Sequence, residues 1–125
     1  MKFDSQICTT EGQSKRLLAL GLKRDTADCV MMYYDGWHIG EAEHFDFDKD
    51  PVEPAWSLHR LIEMMPALVN PIRNLFVSNR SVEYQMSEGR TTHIFANENN
   101  IYDNVINCIE WLISVDEFNK EYLIQ

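Results

Sequence analysis

Apolar residues at helical spacing open the chain. Leu17, Leu18 and Leu20 follow a polar stretch in which Thr10 and Gln13 stand three apart, the spacing of a capping box. The Thr10 hydroxyl is expected to accept the Gln13 backbone N–H, and the Gln13 side chain to return the bond. Gly21 suits the left-handed position after a helix, with Leu22 folding back onto Leu17, and Lys23 to Asp28 reads as a loop.

The period then changes from helix to strand. Asp35-Gly36 lies between VMMYY and WHIG and predicts a two-residue hairpin, because both positions accept positive φ. That loop would pair Tyr34 with Trp37, Tyr33 with His38 and Met32 with Ile39. Met32, Tyr34, Trp37 and Ile39 would then form the core face.

Pro51 and Pro54 are expected to keep the following acidic stretch non-helical. Ser57 then caps a helix carrying Leu58, Leu61, Ile62 and Met65, which Pro66 stops. An irregular ALVNPIRN stretch leads to a strand at Leu75 to Ser78. Ser81 to Met86 alternates, with Val82, Tyr84 and Met86 on one side, and Thr91 to Ala96 returns after a turn at Ser87-Glu88-Gly89-Arg90. Asn100 caps the last helix, with Asp103 in its first turn and a buried stripe of Ile101, Val105, Ile109 and Leu112 flanked by Ile106, Cys108 and Ile113. A continuation through Phe118 and Tyr122 is expected, in the same helix or in one restarted at Asp116.

These elements predict an α+β fold over one domain, residues 1–125: an antiparallel sheet of four or five strands, including the first hairpin, packed on two or three helices as a two-layer sandwich. Nothing alternates as βαβ units would, and no dinucleotide or P-loop glycine pattern occurs. With 45% hydrophobic and 25% charged residues in 125, the composition is that of one folded domain and excludes disordered and fibrous classes.

No apolar run approaches the ~18 residues of a membrane span, and Asp4, Glu11, Lys15 and Arg16 interrupt the start of the chain, so a cytoplasmic setting is expected. Cys8, Cys29 and Cys108 are odd in number, widely spaced and without CxxC. Reduced thiols are expected rather than a disulfide framework or zinc site.

Of the net charge of −9, residues 41–53 hold −5 and residues 98–125 another −5, leaving +1 elsewhere. Direct binding to a nucleic-acid backbone is therefore not expected. The small cluster Lys15, Arg16, Lys23 and Arg24 reads as a solvated helix face.

The segments QSKRLLALGL (13–22), TADC (26–29), PAWSLHRLIEMMP (54–66) and DNVINCIEWL (103–112) resemble a family of small proteins encoded in phage and mobile-element regions of gut anaerobic bacteria. The matching residues are caps, helix starts and core stripes. The resemblance implies an α+β fold and a cytoplasmic setting, and carries over no activity or catalytic residue.

The candidate chemistry lies at 41–53. Asp46, Asp48 and Asp50 alternate like the start of a calcium loop, but Pro51 replaces its glycine and Ser57 its final glutamate. Phe45 and Phe47 offer another reason for the alternation: if they face inward, the aspartates face water. A weaker divalent-cation site could draw on Glu43 or Glu53, or on His38 and His44 with Asp46 or Asp48. His59 lies on a helix without HExxH, and His93 reads as a cross-strand surface partner. Cys29 and His38 form the one nearby thiol–imidazole pairing, but Asp25, Asp28 and Asp35 give the wrong sign for a reactive thiolate. There is no serine elbow.

No catalytic, cofactor or metal residue is assigned. The leading expectation is a non-enzymatic accessory protein of a mobile element that binds another protein, or itself, near the acidic loop through one or two exposed aromatics. The alternatives are a divalent-metal module or metal-dependent enzyme using residues 41–53, and a nucleic-acid mimic whose carboxylates stand in for phosphates.

Overall fold

The structure, a computed structural model, describes residues 5–69, 73–86 and 91–124. The α+β class holds, with three α-helices and seven strands among these residues. The strands form two antiparallel sheets rather than the single sheet expected, one of three strands and one of four. The chain gathers into two compact units, Met1–Leu61 with Tyr122–Gln125, and Ile62–Glu121.

In the first unit, α1 (Glu11–Ala19) begins at the expected capping box, with both reciprocal bonds formed around Thr10 and Gln13. It ends in a Schellman motif. Gly21 takes φ +104°, its N–H donates to the Leu18 carbonyl (3.0 Å), and Leu22 N–H donates to Leu17 (3.2 Å). Leu17 and Leu22 are fully buried. The loop after it contains a single 3₁₀ turn, Arg24–Thr26.

The three-stranded sheet has the order β2-β1-β3, from β1 (Cys29–Tyr33), β2 (Trp37–Glu41) and β3 (Glu53–Ala55). The turn dipeptide behaves as expected, Asp35 at φ 50° and Gly36 at φ 111°, but the register does not. Tyr33 pairs with Trp37, Met32 with His38 and Met31 with Ile39, one residue from the predicted alignment. Because side chains alternate, that shift regroups the faces: Met31, Tyr33, Trp37 and Ile39 share one, and Val30, Met32, His38 and Gly40 the other. The predicted core face of Met32, Tyr34, Trp37 and Ile39 is not formed.

Burial decides the register. β1 is central and needs cover on both faces, so Val30 and Met31 are both buried. Gly40, opposite Val30, leaves space for the Phe45 ring, whose Cε2 lies 3.2 Å from where a Cβ would stand. The other face is covered by the segment before α1, which packs Cys8 with Met31, Ala55 and Cys29.

Trp56 anchors this unit without any exposed surface. Its indole N–H donates to Thr26 Oγ1 (3.0 Å), its backbone N–H to Thr9 Oγ1 (3.0 Å), and its carbonyl accepts from Thr9 N–H (2.9 Å). Ser57 caps α2 (Leu58–Met64), accepting from Arg60 N–H at 3.1 Å. Pro66 follows its end as expected. Residues 122–124 return to this unit, with Ile124 N–H donating to the Gly21 carbonyl (2.8 Å).

The second unit orders β4 (Leu68–Val69), β5 (Arg73–Val77), β6 (Val82–Met86) and β7 (Thr91–Phe95) as β4-β5-β6-β7, with α3 (Ile101–Ser114) packed on β6 and β7. The stretch expected to be irregular thus contains a short strand, and the turn expected at 87–90 lies outside the described residues. Val82 and Tyr84, expected on one side of their strand, are both fully buried, and α3 buries Val105, Ile106, Cys108, Ile109 and Leu112. Asn100 caps it, accepting from Tyr102 N–H at 2.9 Å.

α3 stops at a second Schellman motif in which Asp116, at φ 61°, holds the glycine position. Asp116 N–H donates to Ile113 (3.1 Å) and Glu117 N–H to Leu112 (2.9 Å). The helix neither continues nor restarts at Asp116. Phe118 is buried without it, and one 3₁₀ turn follows at Lys120–Tyr122. No described helix is long and apolar enough to cross a membrane.

Candidate functional site

The acidic segment is organised around its own backbone. Asp46 N–H donates to Asp50 Oδ2 (2.7 Å), Asp48 N–H donates to Asp46 Oδ1 (2.8 Å), and the Asp46 carbonyl accepts from Lys49 and Asp50 N–H. Two of the three alternating carboxylates therefore serve as turn acceptors rather than converging on one ion. Phe45 and Phe47 are half-buried while Asp46 and Asp48 are exposed, the arrangement the alternation suggested. Arg24 holds Phe47 in place, donating to its carbonyl at 3.1 Å with the guanidinium 5.5 Å from the ring centroid.

The candidate ligands separate. His44 Nε2 lies 3.3 Å from Glu41 Oε2 and 3.7 Å from Glu43 Oε1, and one ligand atom from each of the three falls within 4.8 Å of the others. All three side chains are exposed. His38 instead stacks on Tyr34 at 4.1 Å, its Nε2 lying 2.9 Å from the Tyr34 carbonyl.

The thiol–imidazole pairing does not assemble a nucleophile. Burial first, and then the Asp28 carboxylate, push the Cys29 thiol up to about 12. A thiol so held is protonated at neutral pH and unreactive. Sequence separation concealed its partner: Cys8 hydrogen-bonds Cys29 across the sheet face, and its own thiol is raised by the same burial and carboxylate. Both are free cysteines.

His93 is not the surface partner expected. It stacks on Trp111 at 4.1 Å, between sheet and helix, and burial followed by the Arg73 guanidinium holds its imidazole below the usual range. The basic quartet does not form a patch either, since Lys15 pairs with Glu11 (2.9 Å) and Arg24 covers Phe47.

Exposed apolar surface collects at the first hairpin. Tyr33 is 70% exposed, Tyr34 63%, Trp37 51% and Ile39 50%. Tyr33 and Trp37 meet edge to face at 5.3 Å on one face, and Tyr34 and His38 stack on the other. Exposed Ile7 lies near the first pair, and a cleft of about 370 Å³ runs between residues 5–11 and Met31, Trp37 and Ile39. A smaller cleft of about 250 Å³ adjoins it, lined by Glu11, Lys15, Leu18, Trp37 and Glu53 among others. Trp37 and Ile39 lie on β2, an edge strand of the sheet, and share a face with the buried Met31 yet stay exposed themselves. The two-residue-loop register expects Tyr34, Trp37 and Ile39, but not Tyr33, in the core.

Comparison with known protein families, curated proteins and solved structures finds nothing that matches this chain.

Proposed function

We propose that this chain is a non-enzymatic protein-binding module, an accessory protein of a mobile element. Its binding surface is the hairpin face of Tyr33, Trp37 and Ile39 with the cleft beside it. The observation that carries this reading is two large apolar side chains, Trp37 and Ile39, each half exposed beside an apolar cleft. Aromatic anchors beside a concave apolar surface with a charged rim are the composition of interface hot spots. Glu11 and Glu53 supply that rim.

Paired affinity capture from the native host tests it, comparing the wild-type chain with Trp37→Ala/Ile39→Ser and, separately, with Asp48→Lys. A partner retained by the wild type and lost from the first variant is expected. Identical captured sets from wild type and first variant would sink the reading.

The cluster Glu41, Glu43 and His44 favours a second reading, a weak divalent-cation site at the exit of β2. Calorimetric titration with Mn²⁺ and Zn²⁺ tests it. Heat that His44→Ala abolishes would support the site, and equal heats from both proteins would remove it.

A further inference from the structure

We infer that β2 accepts an added strand from a partner protein, one whose extended segment carries apolar residues at two alternate positions and a Lys or Arg two residues beyond them. This rests on the protein-binding reading above and specifies its mode and its partner.

β2 is an edge strand, bonded in the sheet to β1 alone. Two bonds fix the phase of the β1–β2 ladder: Ala42 N–H donates to Asp28 (3.0 Å) and Tyr34 N–H to Gly36 (3.0 Å). In an antiparallel pair the hydrogen-bonded positions alternate. His38 and Gly40 therefore point their backbone groups at β1, while Trp37, Ile39 and Glu41 point theirs outward. Among the described residues, no hydrogen bond reaches the backbone N–H or carbonyl of these three.

An open row of donors and acceptors is a template for strand addition, which proteins commonly blunt with charge, proline or a bulge. Here the protection is slight. β2 contains no proline, lysine or arginine, its pairing with β1 is regular, and Glu41 is its one carboxylate.

The same three residues carry the recognition surface. Their side chains alternate onto one side of β2, where Trp37 and Ile39 line the cleft of about 370 Å³ and Glu41 stands beyond them at the strand end. An added strand would place one face of its side chains beside Trp37, Ile39 and Glu41 in succession. Apolar groups would meet Trp37 and Ile39, and a cation would meet Glu41, whose neighbours Glu43 and His44 leave the strand end with two carboxylates to one imidazole. Glu11 and Glu53 at the adjoining cleft, answered there by Lys15, add to the same sign. A second copy of a chain with net charge −9 lacks that complementarity.

Selection of displayed short peptides on the wild-type chain and on Glu41→Lys tests the proposal. The wild type should enrich alternating apolar peptides with Lys or Arg, and Glu41→Lys should exchange that cation for Asp or Glu. A selected peptide should lose at least about tenfold in affinity when the backbone amides facing β2 are N-methylated. It should lose a similar factor against Trp37→Ala, whose fold is checked by its amide spectrum.

Equal binding of the methylated peptide overturns strand addition while leaving a protein-binding surface in place. An unchanged charge preference on Glu41→Lys overturns the assignment of the partner. Absence of any enriched peptide overturns the proposal outright, whereas the protein-binding reading stands or falls on the capture experiment. Concentration-dependent dimerisation that Trp37→Ala abolishes would give the edge to a second copy and likewise overturn it.

Discussion

Asp28 grips Ser57 twice, accepting its backbone N–H at Oδ1 (2.8 Å) and its hydroxyl at Oδ2 (2.5 Å). The residue that caps α2 is thus itself held by a carboxylate from the loop before β1, 29 positions earlier. Both bonds are charge-assisted but solvent-exposed. Asp28→Ala is expected to cost about 1–2 kcal/mol in urea unfolding, with Asp28→Asn costing less because one acceptor remains.

Burial, and after it the same carboxylate, raises the Cys8 and Cys29 thiols, and burial alone raises Cys108. Raised thiols are protonated when folded, and the unfolded chain releases their protons first as pH rises from the ordinary value of 9.0 towards about 12. The unfolded state then binds fewer protons, so stability must fall with pH in that window. Burial raises Tyr84 as well, in the same direction. Unfolding midpoints measured from pH 8 upward should decline above about pH 9, and Cys29→Ala should flatten the decline.

The two Schellman motifs differ in the residue at their left-handed position, and opposite substitutions should have opposite signs. A Cβ at Gly21 would meet only Leu123 Cδ2, at 3.9 Å, so Gly21→Ala costs through backbone conformation alone, about 1 kcal/mol. Asp116→Gly relieves the same strain at φ 61° and should stabilise by about 0.5–1 kcal/mol. Its exposed pairing with Lys120 at 3.4 Å offsets little of that. Shifts of the denaturation midpoint in opposite directions are the expected result.

Asn104 is fully buried in α3 and fully used. Oδ1 accepts from Glu98 N–H (3.0 Å), while Nδ2 donates to the carbonyls of Arg80 (2.7 Å) and Glu98 (3.0 Å). Asn104→Ala would leave these backbone groups without their partner and is expected to cost about 2–4 kcal/mol, read by urea unfolding followed through Trp111 fluorescence.

Gly40 is constrained by space rather than by φ. A Cβ there would lie 3.2 Å from Met32 Cε and Phe45 Cε2 and 3.3 Å from Val30 Cγ2. Met32 and Phe45 can yield to one methyl, but a branched side chain has nowhere to go. Gly40→Val is expected to cost about 1–3 kcal/mol and to loosen Phe45, with Gly40→Ala markedly milder. Thermal unfolding and the amide spectrum of residues 45–50 would report both effects.

The sequence by itself determined what depends on a few neighbouring residues. The capping box at Thr10, the glycine stop at Gly21, the caps at Ser57 and Asn100, the α3 stripe and the positive φ values at Asp35 and Gly36 are local choices of backbone conformation. The alternation of phenylalanine and aspartate at 45–48 was legible for the same reason.

What the tertiary structure decided depends on which distant groups share a face. The strand at Glu53–Ala55 forms despite Pro54 because it lies at the sheet edge, where a missing donor is tolerated. The hairpin register is set by the need to bury Val30 and Met31 at once, with Gly40 making room for Phe45. Trp37 and Ile39, expected in the core, are exposed on β2 at the edge of the sheet. A turn dipeptide specifies its own dihedral angles. Which strand residues face each other, and so which apolar groups remain for a partner, follows only from what covers the two sides of β1.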